Sequence, residues 1–185
     1  MSPPDETRFL ALLQEHRAIL YKVAFGYCRD REDRGDLVQE MAIQLWRSFG
    51  RYDGRVKFST WAYRVSMNVA ISHFRGETGR IRDTLPFDEL AHELATADPL
   101  AEEASDNMKV LRKLIDGLDE LNRALVLLYL EGHTSEEIAE IVGISPGNVT
   151  TRMNRVKNEL QRGFARLENP QETAHEQHHP RRASR

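Results

Sequence analysis

TSEEIAEIVGISPGNVTTRMNRVKNEL, residues 134–160, decides how this chain is read. Thr134 or Ser135 can cap a first helix, and Glu136 and Glu137 stand in its first turn, where the helix dipole favours negative charge. Ile138, Ile141 and Val142 supply its buried stripe, and Ala139 is small where a second helix must approach. Gly143 follows at the position where a left-handed backbone is tolerated, which lets the chain turn within a few residues. Ser145 and Pro146 then provide an N-cap and a first-turn proline for a second helix, whose apolar stripe is Val149, Met153, Val156 and Leu160. Together these signals predict a helix-turn-helix.

On the second helix the residues Asn148, Thr150, Thr151, Arg152, Asn154, Arg155 and Lys157 are left for the outer face, with Ser145 at its start. Asn and Arg make paired hydrogen bonds to adenine and guanine edges, the threonine methyl meets the thymine methyl, and the cations neutralise phosphates. A plain helical hairpin with a solvated polar face has the same periodicity, but the cap, glycine and proline positions favour the tight turn of a DNA reader.

Working outward, residues 8–28 place Phe9, Leu12, Leu13, Ile19, Leu20, Val23, Ala24 and Tyr27 at helical spacing and predict one amphipathic helix. Asp36 can begin a second, carrying Leu37, Met41, Ala42, Leu45, Trp46 and Phe49, and Gly50 stops it. The segment 50–57 is a basic loop with one aromatic ring, and a further helix is expected from Ser59 to Phe74, packing Trp61, Ala62, Val65, Val69 and Ile71. From residue 77 to 105 periodicity fades, Pro86 and Pro99 interrupt it, and acidic side chains gather; a linker is expected, with a short helix near 87–94. Two helices, broken near Gly117, then carry Met108, Leu111, Leu114, Ile115, Leu118, Leu121, Leu125, Leu128 and Leu130. The polar stretch from residue 168 to 185 reads as a disordered tail. The expected fold is therefore all-α, with two small helical domains at 8–76 and 106–167 joined by an acidic flexible linker.

A formal net charge of −3 argues against a uniformly basic nucleic-acid binder, but the charges are segregated. Asp83, Asp88, Glu89, Glu93, Asp98, Glu102, Glu103 and Asp106 follow one another without an intervening cation, between basic flanks. With 40% hydrophobic and 30% charged residues the chain has the composition of a globular protein, and no apolar run approaches a bilayer span. The opening MSPPDETRF lacks the basic and apolar regions of a signal peptide, so a cytoplasmic protein is expected. The single cysteine, Cys28, reads as a small buried hydrophobe. The tail histidines His175, His178 and His179 lack partners at metal-ligand spacing, and no phosphate loop or hydrolase motif appears, so neither an enzyme nor a cofactor is expected.

The stretches DLVQEMAIQLWRSFGRYD (36–53) and FSTWAYRVSMNVAISHFR (58–75), followed by the helix-turn-helix, resemble sigma-70 family sigma factors of RNA polymerase, specifically the extracytoplasmic-function group. The resemblance spans about residues 8–165. It implies a region-2 domain that binds the polymerase clamp and opens the promoter at the minus-ten element, and a region-4 domain that reads the minus-thirty-five element. Carried onto this chain, it assigns clamp binding to Asp36, Leu37, Gln39 and Glu40, with Trp46 and Leu37 readable as core and Asp36 as a cap. It assigns minus-ten contacts to Arg51, Tyr52, Arg55, Lys57, Phe58, Arg64, Asn68, Ser72 and Arg75. Tyr52 or Phe58 would stack on a flipped base, against the alternative of a solvated basic turn, while Trp61 reads as core. The family commonly has aspartate where this chain has Ser72 of SHFR, which bears on base preference. Implied partners are core RNA polymerase at its clamp and flap, double- and single-stranded promoter DNA and an anti-sigma factor, without membrane insertion. The linker would thread the RNA path or act as a simple tether. The competing reading is a two-domain helix-turn-helix regulator that binds an operator as a dimer.

Overall fold

The computed structural model describes residues 3–76 and 106–168. The expected linker at 77–105, its short helix and most of the expected tail lie outside the described residues. Among the described residues all regular structure is α-helical: α1 (Pro3–His16), α2 (Ala18–Tyr27), α3 (Arg31–Phe49) and α4 (Phe58–Phe74), then α5 (Asp106–Asp116), α6 (Glu120–Leu130), α7 (Ser135–Val142) and α8 (Pro146–Glu168).

The single helix expected over 8–28 is two. At Arg17 the chain tightens, with the Leu20 amide donating to the Arg17 carbonyl at 3.1 Å, three residues back rather than four. That turn lets both pieces bury apolar faces: Phe9 and Leu13 from α1, Leu20 and Val23 from α2. The helix expected from Asp36 begins five residues earlier, at Arg31, because Asp30 is its cap; the Asp30 carboxylate accepts from the Glu32 amide at 2.7 Å. Asp36 is therefore inside α3, not at its start. Around the break at Gly117, Asp119 caps α6 by accepting from the Asn122 amide at 2.8 Å.

In the N-terminal unit α2, α3 and α4 pack mutually, with α1 laid on α3. Leu20, Leu37, Met41, Leu45 and Met67 are fully enclosed between them. In the C-terminal unit α6, α7 and α8 pack together and α5 closes over α6 and α8. Of the leucines expected in α6, Leu125 and Leu128 are buried, but Leu130 is 56% exposed. Val126 and Arg123 occupy buried positions on the same helix.

The two units share one apolar core that runs from Phe9 through Ala70 to Leu125, Ile138 and Met153. α4 lies against α7 and α6, and α2 against α6. Gly26 makes the closest approach: a Cβ there would stand 2.3 Å from a Leu127 methyl. Only a residue without a side chain lets α2 and α6 meet at this distance.

Candidate nucleic-acid interface

The helix-turn-helix forms as its local chemistry dictates. Thr134 Oγ1 accepts from the Glu137 amide at 3.2 Å while Glu137 Oε2 accepts from the Thr134 amide at 2.9 Å, a reciprocal capping box. The Thr134 amide holds the Glu137 carboxyl below the usual carboxylate range. Gly143 adopts φ +75°, and its amide closes α7 on the Ala139 carbonyl at 2.9 Å. Ser145 Oγ accepts from the Asn148 amide at 3.3 Å at the start of α8, so this hydroxyl is engaged in capping.

Along α8, Val149, Met153 and Val156 are buried, which turns Asn148, Thr150, Thr151, Asn154, Arg155 and Lys157 to solvent. The two threonine hydroxyls donate back to the Pro146 and Gly147 carbonyls, at 3.1 and 2.9 Å. Lys157 lies over the Tyr129 ring at 4.1 Å. Arg152 differs from its neighbours: it is half-buried and reaches Asn122 Oδ1 at 3.4 Å. The seven outer-face residues expected from the sequence thus share one helix, with Arg155 exposed and Arg152 braced against α6.

The N-terminal unit separates what the sequence grouped. Asp36 and Gln39 are exposed on α3, whereas Leu37 is fully enclosed in the core. Glu40 turns toward α4, where its carboxylate lies 3.3 Å from His73 Nδ1. Glu40, Gln44 and Ser48 from α3 face Val65, Asn68 and Ser72 from α4 across a groove of about 300 Å³. That groove brings a residue expected at the polymerase next to two expected at DNA.

In the loop, Arg51, Arg55 and Lys57 are exposed, and Arg55 pairs with Asp53 at 3.1 Å. Phe58 is only 6% exposed: it stacks against His16 and meets Phe49 and Trp61 edge-on or tilted. It anchors the first turn of α4 and does not reach a base in this conformation. Tyr52 is half-buried, 5.1 Å from Trp61, with its hydroxyl donating to the Val56 carbonyl at 2.8 Å. Tyr52 and the half-buried Trp61 are the rings at the rim of this cluster.

Sequence reasoning missed the contacts between the units. Arg64 donates twice to the Glu140 carbonyl, at 3.1 and 2.6 Å, and Arg75 pairs with Glu120 at 3.3 Å. Arg29 reaches Asp116 at 2.6 Å, and Lys22 pairs with Glu131. Arg112 lies 3.9 Å above the Phe25 ring and donates to the Phe25 and Cys28 carbonyls, both at 2.8 Å, capping the end of α2. Arg123, 2% exposed, donates to the Asp116 carbonyl at 2.7 Å and sits over Phe74 at 4.6 Å. An arginine inside the apolar run ELNRALVLLYL is the one local sign that a buried, paired cation is present. Burial pushes the Tyr63 phenol well above its usual value, reinforced by the adjacent Glu131, and raises the Cys28 thiol to about 11. No group of three or more metal-ligating side chains comes together among the described residues, and no helix among them is long and apolar enough to cross a membrane.

A two-unit helical chain that carries a capped helix-turn-helix, with basic and aromatic side chains around a separate helical bundle, has the build of a DNA-binding transcription factor. The profile described as Sigma-70 region 2 matches residues 12–80, and that described as Sigma-70, region 4 matches residues 108–167. The chain is 31% identical over 138 residues to the RNA polymerase sigma factor CarQ of Myxococcus xanthus, covering 72% of this chain and 75% of that protein. It is 30% identical over 154 residues to the ECF RNA polymerase sigma factor SigE of Mycolicibacterium smegmatis, covering 80% of this chain but 58% of that longer protein. The fold is similar to that of the sigma factor RpoE in its complex with the anti-sigma factor NepR from Bartonella quintana, with a TM-score of 0.59 at 19% identity over 86% of this chain and 96% of that one. The chain belongs to the sigma-70 family of RNA polymerase sigma factors, in its ECF group.

Proposed function

We propose that this protein binds core RNA polymerase through the N-terminal unit, directs it to a two-part promoter and stabilises the melted strand, with no catalysis of its own. The observation that carries the promoter half of this reading is α8: a capped helix, set by Gly143 at a tight turn, whose exposed face is made of Asn, Thr, Arg and Lys. It would read the minus-thirty-five element through Asn148, Thr150, Thr151, Asn154 and Arg155, with Lys157 on phosphate and Ser145 fixing the helix start. Arg152 would act from its brace on Asn122.

In the N-terminal unit, exposed Asp36 and Gln39 on α3 are the side chains available to a basic clamp surface; Leu37 acts by packing the helix that presents them. Arg51, Arg55 and Lys57 would hold the minus-ten strand, with Tyr52 at the rim as the stacking ring. Asn68 and Ser72 would read it from the groove between α3 and α4. The solved relative RpoE is bound to an anti-sigma factor, and we extend that kind of partner to this chain.

The test is a pull-down of the purified full chain with core RNA polymerase, followed by transcription from a fragmented genomic library and mapping of the starts. Co-purification and starts that share two spaced elements are expected. A chain that ignores polymerase and binds a palindromic duplex tightly by itself would replace this reading with that of a dimeric regulator.

A further inference from the structure

A cluster of rings closes one end of the N-terminal unit, and α1 supplies its back. Phe9 of α1 meets Phe49 edge-on at 5.1 Å, and the Arg8 guanidinium lies 5.8 Å over the same ring. His16, the last residue of α1, stacks on Phe58 with the ring centres 5.3 Å apart and the planes 22° from parallel. Phe49 and Phe58 in turn hold the half-buried rings at the rim. Phe49 stacks on Tyr52 at 6.0 Å, Phe58 meets Tyr52 edge-on at 5.7 Å, and both touch Trp61. Ring contacts therefore run from α1 to Tyr52 along two lines, one through each phenylalanine.

Burial is graded along those lines. Phe9 is fully enclosed and Phe49 and Phe58 nearly so, whereas Tyr52 stands half-buried at the surface end. The loop fixes Tyr52 through its amide, which donates to the Phe49 carbonyl at 2.9 Å, and through its hydroxyl. The plane of its ring is set by the phenylalanines behind it. Stacking depends on the tilt and offset of the two rings, so a side chain that receives a base needs a firm backing. The break at Arg17 serves that backing: it ends α1 at His16 and lets this ring lie on the first turn of α4.

We infer that α1 is the back wall of the strand-binding site, and that His16 is a positioning residue: through Phe58 it sets the ring plane of Tyr52, on which an unpaired base of the melted strand stacks. Phe9 and Arg8 act on the same ring from the other side, through Phe49. The strand touches Tyr52 and does not touch His16. His16 is itself half-buried, and its contribution is a flat ring laid on Phe58 rather than enclosed apolar bulk. An aromatic replacement should therefore serve at this position, and an aliphatic one of similar size should not. The inference rests on the sigma-factor reading for the presence of a melted strand.

The full chain, assembled with core RNA polymerase, tests it on a promoter mapped as described above. That promoter is offered in two forms: a complete duplex, kept at a temperature where it stays closed, and a fork whose minus-ten segment is single-stranded. His16→Leu is expected to bind the fork about tenfold more weakly than the parent, with duplex binding and the urea midpoint unchanged. His16→Phe is expected to bind the fork as the parent does. Leu10→Ala trims a half-buried α1 side chain outside the ring cluster and should leave the ratio of fork to duplex affinity where it was.

A second measurement needs no polymerase. The chain has two tryptophans, so in a Trp46→Phe background the emission of Trp61 reports on the rim. There His16→Leu should move the emission to longer wavelength and raise its quenching by acrylamide, and His16→Phe should restore both. Equal losses on fork and duplex for His16→Leu, failure of His16→Phe to restore fork binding, or a Trp61 emission indifferent to residue 16 would each overturn the positioning role. A parent chain that does not hold polymerase overturns the sigma-factor reading, and with it the strand as ligand; the emission of Trp61 then decides by itself whether α1 controls the rim.

Discussion

The two units present their candidate contacts in opposite ways. On α8 the reading side chains lie along one helix face, fixed by a buried stripe on the other side and by caps at its start. In the N-terminal unit they are spread over α3, a loop and α4, and several are engaged within the protein: Phe58 in the core, Glu40 with His73, Arg64 and Arg75 with the C-terminal unit. The C-terminal candidate surface is exposed as folded. Part of the N-terminal candidate surface is engaged within the protein.

That contrast is tested most severely at Phe58. As a buried anchor it should act on stability: Phe58→Ala removes a ring that touches Phe49, Tyr52 and Trp61, and a loss of about 3–5 kcal/mol is expected in urea denaturation. As a stacking residue it would leave the denaturation midpoint unchanged and weaken only single-strand binding. A small change in stability would mean that Phe58 is not the anchor described above.

The recognition helix offers an internal comparison of intermediate size. Arg155 is exposed and Arg152 is braced on Asn122, so Arg155→Ala is expected to cost about 1–3 kcal/mol of promoter affinity and to relax selectivity at one base position. Arg152→Ala should cost less, and Asn122→Ala should reproduce much of its effect by releasing the guanidinium. The measurement is competition binding against substituted promoter duplexes. Equal losses spread evenly over all sequences would make both residues phosphate contacts.

The same contrast explains what could be read from the sequence. The helix-turn-helix was legible because its determinants are local: Thr134 caps Glu137, Gly143 turns the chain and Ser145 caps Asn148, each within a few residues. The helical class and most of the core followed from periodicity. The division at Arg17 was hidden because apolar spacing continues across it, and the early start of α3 because Asp30 lies in a polar stretch that also reads as a loop. Fully tertiary features left no local trace: α2 meets α6 across a gap in sequence of about a hundred residues, and the pairing of Lys22 with Glu131 is set by that approach alone. For Leu37 and Phe58 a functional and a packing role predict the same residue type, and burial separates them.

The smallest effect belongs to the capping box and sharpens the claim that the C-terminal unit is locally determined. Thr134→Ala removes the acceptor of the Glu137 amide and should destabilise α7 by about 1 kcal/mol, read as faster exchange of the Glu137 and Ile138 amide protons in the full chain. The other half of the box depends on pH. Because the Thr134 amide lowers the Glu137 carboxyl below its ordinary value, the ionised group is favoured in the folded state. Its contribution is complete above the ordinary carboxylate range and is lost as pH falls through the lowered value. His133 Nδ1, 3.6 Å from Glu137 Oε2, acts in the same direction when protonated. Acidification should therefore open α7 at its N-terminus before its C-terminus, where Glu140 is held to Arg64 through its backbone carbonyl, at 2.6 Å, more closely than through its carboxylate, at 3.9 Å. Glu137→Gln should lower the protection factors of these amides at neutral pH toward the values they take in acid, and flatten the pH dependence of those factors. If the turn at Gly143 opens first in acid, the box is not what holds α7 in place.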